Sequence, residues 1–270
     1  MKIKKLEYRI IIIVLIYNVL NSLLVNYLFS IDFFNPINYY TNEIINGTLV
    51  GNLIGLSGSL FIIFKIGKHN LGSIWFSKRK LIIAILLIIS IWIISHIFII
   101  AFSYYTTREI IFIQHFNVMA GNIIGQFFGN SLLEEMIFRG ILLIQLYLIF
   151  IAKYSNKMTI IYSLAASAVI FLLSHIPNRI LTYTPDNLVI DTMSLLFGST
   201  LLGIIFLKTK NLPFVIGFHS LVNYPSNIIV TNIPTEPIIF ALVIIITLKW
   251  DKIIGKETEY LLPIVEPLKV

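Results

Sequence analysis

The sequence predicts an all-α, polytopic integral membrane protein with about eight transmembrane helices. Composition and patterning carry this. Of 270 residues, 57% are hydrophobic and only 12% are charged, whereas soluble domains hold roughly 45–50% apolar and about 25% charged residues. The mean hydropathy is +0.90. The apolar residues fall into runs of about 20, the length a helix needs to cross a bilayer, with short lysine-bearing stretches between them. The chain has no cysteine, which removes disulfides, thiolate-bound zinc and thiol catalysis together. The formal net charge of +7 reports loop lysines facing the cytoplasm rather than nucleic acid, because no basic stretch carries the interleaved aromatics of a nucleic-acid binder.

Taken in order, the first apolar run, Ile10–Phe29, follows MKIKKLEYR. It is too long for a signal-peptide core and lacks a small-residue cleavage site, so it reads as a retained span over 9–29. Further spans are expected at 46–66, 81–103, about 121–152, 158–176, 190–207, 212–230 and 236–249. The stretch 110–129 is apolar but holds Gln114, His115, Asn117, Asn122 and Gln126. It reads as an interfacial or re-entrant segment, or as the start of a long tilted helix that runs into the acids beyond it. Three regions follow: an N-terminal membrane region of three spans (1–105), a membrane core that holds the acids and histidines (106–250) and a short polar tail (251–270).

Lysine and arginine in short loops set orientation. Lys2, Lys4, Lys5 and Arg9, then Lys65, Lys68, Lys78, Arg79 and Lys80, then Lys153 and Lys157, then Lys208 and Lys210, then Lys249, Lys252 and Lys256 share one side if there are eight spans. Both termini are then cytoplasmic. The opposite loops hold Asp32, Glu43, Glu109, Asp186, Asp191 and Glu236, with Arg108 and Arg179 as the strong bases. A bacterial plasma membrane suits this Ile-, Asn- and Lys-rich composition.

The stretch Ser131–Gly140, SLLEEMIFRG, breaks the apolar pattern. A charge within the membrane costs roughly 2.5–3.5 kcal/mol on insertion scales, so ionisable residues there are functional by default. Glu135 and Arg139 are i and i+4 and can neutralise each other on one helix face. Glu134 points about 100° away and has no local cation. Downstream, Phe171 and His175 are i and i+4, as are His219 and Asn223. Taken singly, these read as a headgroup-level histidine, an interhelical hydrogen bond and a self-compensated ion pair. The hydroxyls of Ser163, Ser167, Ser194, Ser199 and Thr200 read as helix-packing groups. Jointly, Glu134, His175, His219 and Asn223 come from three spans and can lie at similar depth. A buried acid, two imidazoles and an amide are the parts that activate a water and stabilise an oxyanion.

The motifs Glu134-Glu135-Met-Ile-Phe-Arg139, Phe171-Leu-Leu-Ser-His175 and His219-Ser-Leu-Val-Asn223, with Phe138 and Gly140 extending the first, resemble those of the CAAX-protease and bacteriocin-processing (CPBP) family of intramembrane proteases. This is the family of type II CAAX prenyl endopeptidases. The resemblance covers about 120–230. It implies an endopeptidase in which Glu134 and His175 hold and deprotonate a water, His219 and Asn223 stabilise the oxyanion, and Glu135 and Arg139 orient the helix. A metal alternative stays open, with Glu134, His175 and His219 holding a divalent ion such as Zn2+ in an open site. The local H-E-x-x-H arrangement is absent. The implied partners are a membrane-associated peptide or protein substrate and the lipid bilayer, with no nucleic acid. Implied roles are CAAX-type, pheromone or bacteriocin processing, or self-immunity. The rival readings are a non-catalytic immunity or peptide-binding protein, and a proton-coupled transporter, for which paired broken helices or inverted repeats would be expected.

Overall fold

Helix is the only regular structure in the computed structural model, which describes residues 5–68, 76–182 and 185–255. Lys2, Lys4, Lys256 and the tail beyond Gly255 lie outside the described residues, as does the side chain of Asp186. Helix α1 is Tyr8–Ser30, α2 is Asn35–Tyr40, and α3 is Gly47–Phe61 with a wide π turn at Ile62–Ile66. Helix α4 is Lys78–Thr107. Then α5 (Phe116–Ile124), a π segment Gly125–Ser131, α6 (Leu132–Glu135), a second π segment Met136–Leu142 and α7 (Leu143–Phe150) follow one another without a break. Helices α8 (Asn156–Thr182), α9 (Pro185–Thr209), α10 (Leu212–Asn223), α11 (Glu236–Leu248) and α12 (Trp250–Ile253) complete the order.

Among the described residues, five helices are long and apolar enough to cross a membrane: Tyr8–Ser30, Gly47–Ile66, Lys78–Thr107, Asn156–Ile180 and Asn187–Thr209. The expected span at 212–230 is corrected. Helix α10 has 12 residues, ~18 Å at about 1.5 Å per residue, against a hydrocarbon core of ~30 Å. It stops because Pro225 disfavours helical backbone in the residue before it, and Tyr224 is extended at φ −149, ψ 94. Helix α11 has 13 residues. The stretch 110–129 resolves in favour of the long helix. Residues before 116 are non-helical, with Phe112 bridged to Ile229, and the helix then continues from 116 to 150 through both acids.

Local chemistry sets the helix starts. Asn46, Ser77 and Asn211 cap α3, α4 and α10 by accepting from the N–H of Leu49, Lys80 and Phe214, which satisfies donors that a helix start leaves free. Contacts between the ends of the bundle then sort the chain. Lys208 pairs with Asp251, Arg79 Nη2 donates to Ile254 O, Asn211 Nδ2 donates to Lys80 O, and the Leu6 N–H donates to Gln145 Oε1. These gather the lysine-bearing ends at one end of the bundle. At the other end Asn46 meets Asn122, Arg179 meets Asp191, and Asn26 meets Asn178.

Two apolar clusters flank the composite helix. One joins α4, α9, α10 and α11 through Ile91, Phe206, Phe214, Phe218 and Val243. The other joins α1, α3 and α8 through Val14, Ile63, Ile137, Phe138 and Phe171. Leu132 and Met136 pack against both. Outside them the apolar side chains point outward, as Ile12, Ile16, Leu20 and Leu24 do on α1.

Small residues let the helices close, as is common where lipid-facing helices pack. A Cβ added at Gly55 would lie 2.6 Å from Asn21 Nδ2, and one at Gly51 2.7 Å from Val25. On the composite helix, a Cβ at Gly129 would lie 3.0 Å from Thr48 O, and one at Gly121 only 1.8 Å from Glu43 O. The last neighbour is backbone and cannot swing aside. Gly121→Ala is therefore expected to lower stability by about 1–3 kcal/mol, the usual cost of overpacking. Gly198→Ala, with nothing within 4 Å of the new Cβ, should be neutral. Thermal unfolding of the two variants in detergent checks the contrast.

Candidate active site

Helix α6 is a single turn between two π segments. A π turn winds wider than an α turn and recurs at functional sites. Here the two bracket the dipeptide Glu134-Glu135, whose members point apart by the step of about 100° of the α turn between them. Glu134 lies between two imidazoles. His175 Nε2 is 3.4 Å from Glu134 Oε1, and His219 Nε2 is 3.7 Å from Glu134 Oε2. One carboxylate oxygen thus faces each ring.

The other ring nitrogen of each histidine is already engaged. His175 Nδ1 is 2.8 Å from Phe171 O, one turn back in α8. A carbonyl only accepts, so Nδ1 carries the proton and the Nε2 position faces Glu134. His219 Nδ1 is 2.7 Å from Glu135 Oε1, which orients it in the same sense. Both rings therefore turn the same nitrogen towards Glu134, for separate reasons.

Glu135 and Arg139 form the expected i, i+4 pair at 2.9 Å, with side chains 0% and 1% exposed. The pair reaches further than helix orientation. Glu135 Oε1 receives both Arg139 Nη1 and His219 Nδ1. Arg139 Nη2 donates to Ser199 O and Ser199 Oγ of α9, each at 3.0 Å. The guanidinium also lies over the Phe171 ring, 4.8 Å from its centroid. Phe171 is in turn 4.3 Å from the His175 ring and edge-on to Phe138. This accounts for Phe171, Phe138 and Arg139 recurring with the acids and histidines in the motifs. Ser163, Ser194 and Thr200 bond carbonyls one turn back in their own helices, as packing groups do, whereas Ser199 holds the arginine.

Asn223 ends α10 and is exposed. Its Nδ2 donates to Gln126 Oε1 at 3.2 Å, so Gln126 of the first π segment sets its orientation. Sequence patterning marked Gln126 only as a polar residue in an apolar stretch; no spacing rule links it to Asn223.

Two cavities meet at Glu134 and His175. The larger, about 600 Å³, is lined by Phe171, Leu195, Phe197, Leu202, Phe218, Val222, His219 and Asn223, among others, and its wall is mostly apolar. The smaller, about 270 Å³, has a wall rich in carboxamides from α1, α3, α8 and the first π segment. Glu134, His175 and His219 are residue types that bind divalent ions. Among the described residues, however, no group of three His, Cys, Asp or Glu is placed to hold one. The arrangement can polarise a water between Glu134 and His175 and present donors from His219 and Asn223.

Comparison with known proteins identifies the central part of the chain. Residues 115–225 match the family model described as Type II CAAX prenyl endopeptidase Rce1-like. The match takes in all three motifs and every residue of the Glu134, Glu135 and Arg139 network discussed above, and it excludes α1, α3 and α4. No curated protein and no solved structure matches the chain. The segment 115–225 is thus similar to the type II CAAX prenyl endopeptidase Rce1-like family, in line with the resemblance that its three motifs carry.

Proposed function

We propose that this protein is an integral-membrane endopeptidase that hydrolyses a peptide bond of a membrane-associated peptide or protein with a water activated by Glu134 and His175. The observation that carries the reading is the placement of Glu134 between His175 Nε2 and His219 Nε2 at the junction of two cavities. The Rce1-like match over the same residues supports a peptidase.

The chemistry follows from the fixed tautomers. A water near Glu134 Oε1 and His175 Nε2 gives its proton to this pair as its oxygen attacks the scissile carbonyl. The carbonyl oxygen becomes an oxyanion. His219 can donate from Nε2 only when its ring carries a second proton, because Nδ1–H is already directed at Glu135. Glu135 Oε1, 2.7 Å from Nδ1, holds the ring in place for that donation. Asn223 supplies a second, neutral donor, aimed by Gln126. The proton held by Glu134 and His175 then passes to the leaving amine nitrogen. No step requires a metal, although the same donors could serve one.

We take the lysine-bearing end of the bundle as cytoplasmic, with both termini there, under the bias of short cytoplasmic loops towards lysine. On this reading Asn26, Phe29 and Asn178 put the mouth of the amide-lined cavity at the opposite end. That favours a substrate met within the bilayer or from the far side over a cytosolic prenylated tail, and suits peptide processing at a bacterial plasma membrane.

Three outcomes are expected. Glu134→Gln should abolish cleavage with the protein still inserted and monodisperse, and wild-type cleavage should be indifferent to chelator. The assay is the purified protein in liposomes with a farnesylated CAAX peptide and a pool of membrane-extracted peptides. Full activity in the variant would overturn the role of Glu134, and chelator-sensitive wild-type cleavage would establish the metal alternative. Asn223→Ala should lower kcat by about 10²–10³, the typical loss for one oxyanion donor, with KM little changed. Glu135→Ala leaves Arg139 without its buried partner and should cost about 3–5 kcal/mol of stability. Thermal unfolding of that variant reads the loss independently of catalysis.

A further inference from the structure

The smaller cavity has a wall that the proposed hydrolysis does not use. Asn18, Asn21 and Asn26 of α1 and Asn52 of α3 line it. In each, the amide nitrogen is committed. Asn18 Nδ2 donates to Val14 O at 2.7 Å, Asn21 Nδ2 to Gly51 O at 3.3 Å, and Asn52 Nδ2 to Thr48 O at 2.8 Å. Asn26 Nδ2 donates to Ser22 O at 2.8 Å and also to Asn178. A backbone carbonyl only accepts, so the nitrogen end of each amide is fixed by its partner. The four side-chain oxygens have no hydrogen-bond donor among the described residues.

Four carboxamides in apolar helices are costly unless their polar atoms are satisfied. Half of each amide is satisfied by the protein and the other half is left for whatever occupies the cavity. The side of the wall built by α1 and α3 is thus one of acceptors, facing Gln126 and Asn130 of the first π segment across the cavity, and the Glu134 carboxylate stands at the edge of the same space. Peptide backbone alternates donors and acceptors and does not match that acceptor side. A lysine ammonium offers three donors and an arginine guanidinium five, and neither has an acceptor.

We infer that the amide-lined cavity is a subsite for a basic side chain, lysine or arginine, of the peptide that this protein acts on. The inference rests on the peptidase reading only in calling that peptide a substrate. Helices α1 and α3 lie outside the Rce1-like segment, so the preference is a property that the N-terminal region adds to the site. The larger, mostly apolar cavity on the other side of Glu134 takes the apolar part of the same chain.

The test is binding by the purified full chain in detergent. The probes are four dye-labelled alanine–leucine peptides, identical except for one central Lys, Arg, Gln or Met, read by fluorescence anisotropy. The Lys and Arg peptides should bind about tenfold tighter than the Gln and Met peptides, the scale of hydrogen bonds to a charged group. Replacing two oxygens, in Asn21→Leu with Asn52→Leu, should erase the Lys and Arg preference, and a thermal unfolding midpoint like that of the wild type reports an intact fold. Asn52→Asp should raise the preference for Lys further, so the idea does not depend on the double variant folding. Equal affinities for all four peptides in the wild type, or a Lys preference that survives the double variant, would overturn the subsite. Cleavage of the same peptides is followed in parallel. A protein that prefers Lys but cuts nothing leaves the subsite standing and counts against the peptidase reading alone.

Discussion

A guanidinium buried at 1% exposure, against a carboxylate at 0%, is the constraint on which the arrangement of the helices depends. An ion pair taken out of water is tolerable only when its remaining donors and acceptors are met, and breaking one partner leaves a buried charge exposed to its full desolvation penalty. Arg139 meets that demand by reaching Ser199 on α9 and the ring of Phe171 on α8. Glu135 meets part of it by taking Nδ1 of His219 on α10 at Oε1, while its Oε2 is buried without a hydrogen-bond partner among the described residues. One pair on one helix thus sets the positions of three others. His219 faces Glu134 because the charge next to Glu134 has to be satisfied, while His175 is turned to it by the Phe171 carbonyl.

This divides labour between two adjacent carboxylates. Glu135 is spent on structure, with Oε1 shared by a guanidinium and an imidazole. Glu134, turned away from it, keeps both oxygens for imidazole nitrogens at 3.4 and 3.7 Å, close enough to pass a proton directly. That divergence is the ordinary step of about 100° of the α turn that holds both acids. Close helix approach at Gly51, Gly55 and Gly129 then brings α1 and α3 beside this point. The amide wall belongs to helices that the Rce1-like segment does not include.

Much of the site was legible because its parts are local repeats. Glu135 with Arg139, Phe171 with His175, and His219 with Asn223 are each one helical turn apart, and a helix makes such pairs visible without any tertiary information. The bond from His219 to Glu135 crosses 84 residues, and the one from Asn223 to Gln126 crosses 97. No periodicity encodes a contact between helices. Gln126 was therefore visible only as a polar residue out of place. The asparagines of α1 and α3 carried no signal either, since an amide in a span satisfies part of itself on its own helix and looks the same whether it lines a cavity or faces a neighbour.

The sequence by itself determined the class of the protein, the positions of the long apolar helices and the ionisable residues that the fold gathers around Glu134. These follow from hydropathy, from the cost of a charge in hydrocarbon and from i, i+4 spacing, all of which act within a single segment. It overextended α10, because hydropathy continues past Asn223 whereas the backbone is turned out of helix before Pro225. Only the tertiary structure decided that 116–150 is one helix bent by π turns, that Glu135 serves His219 as well as Arg139, and that α1 and α3 close the site with a wall of acceptors. Those depend on which helices lie against which. That is set by buried charge and small-residue packing between segments far apart in the chain, where no local pattern reaches.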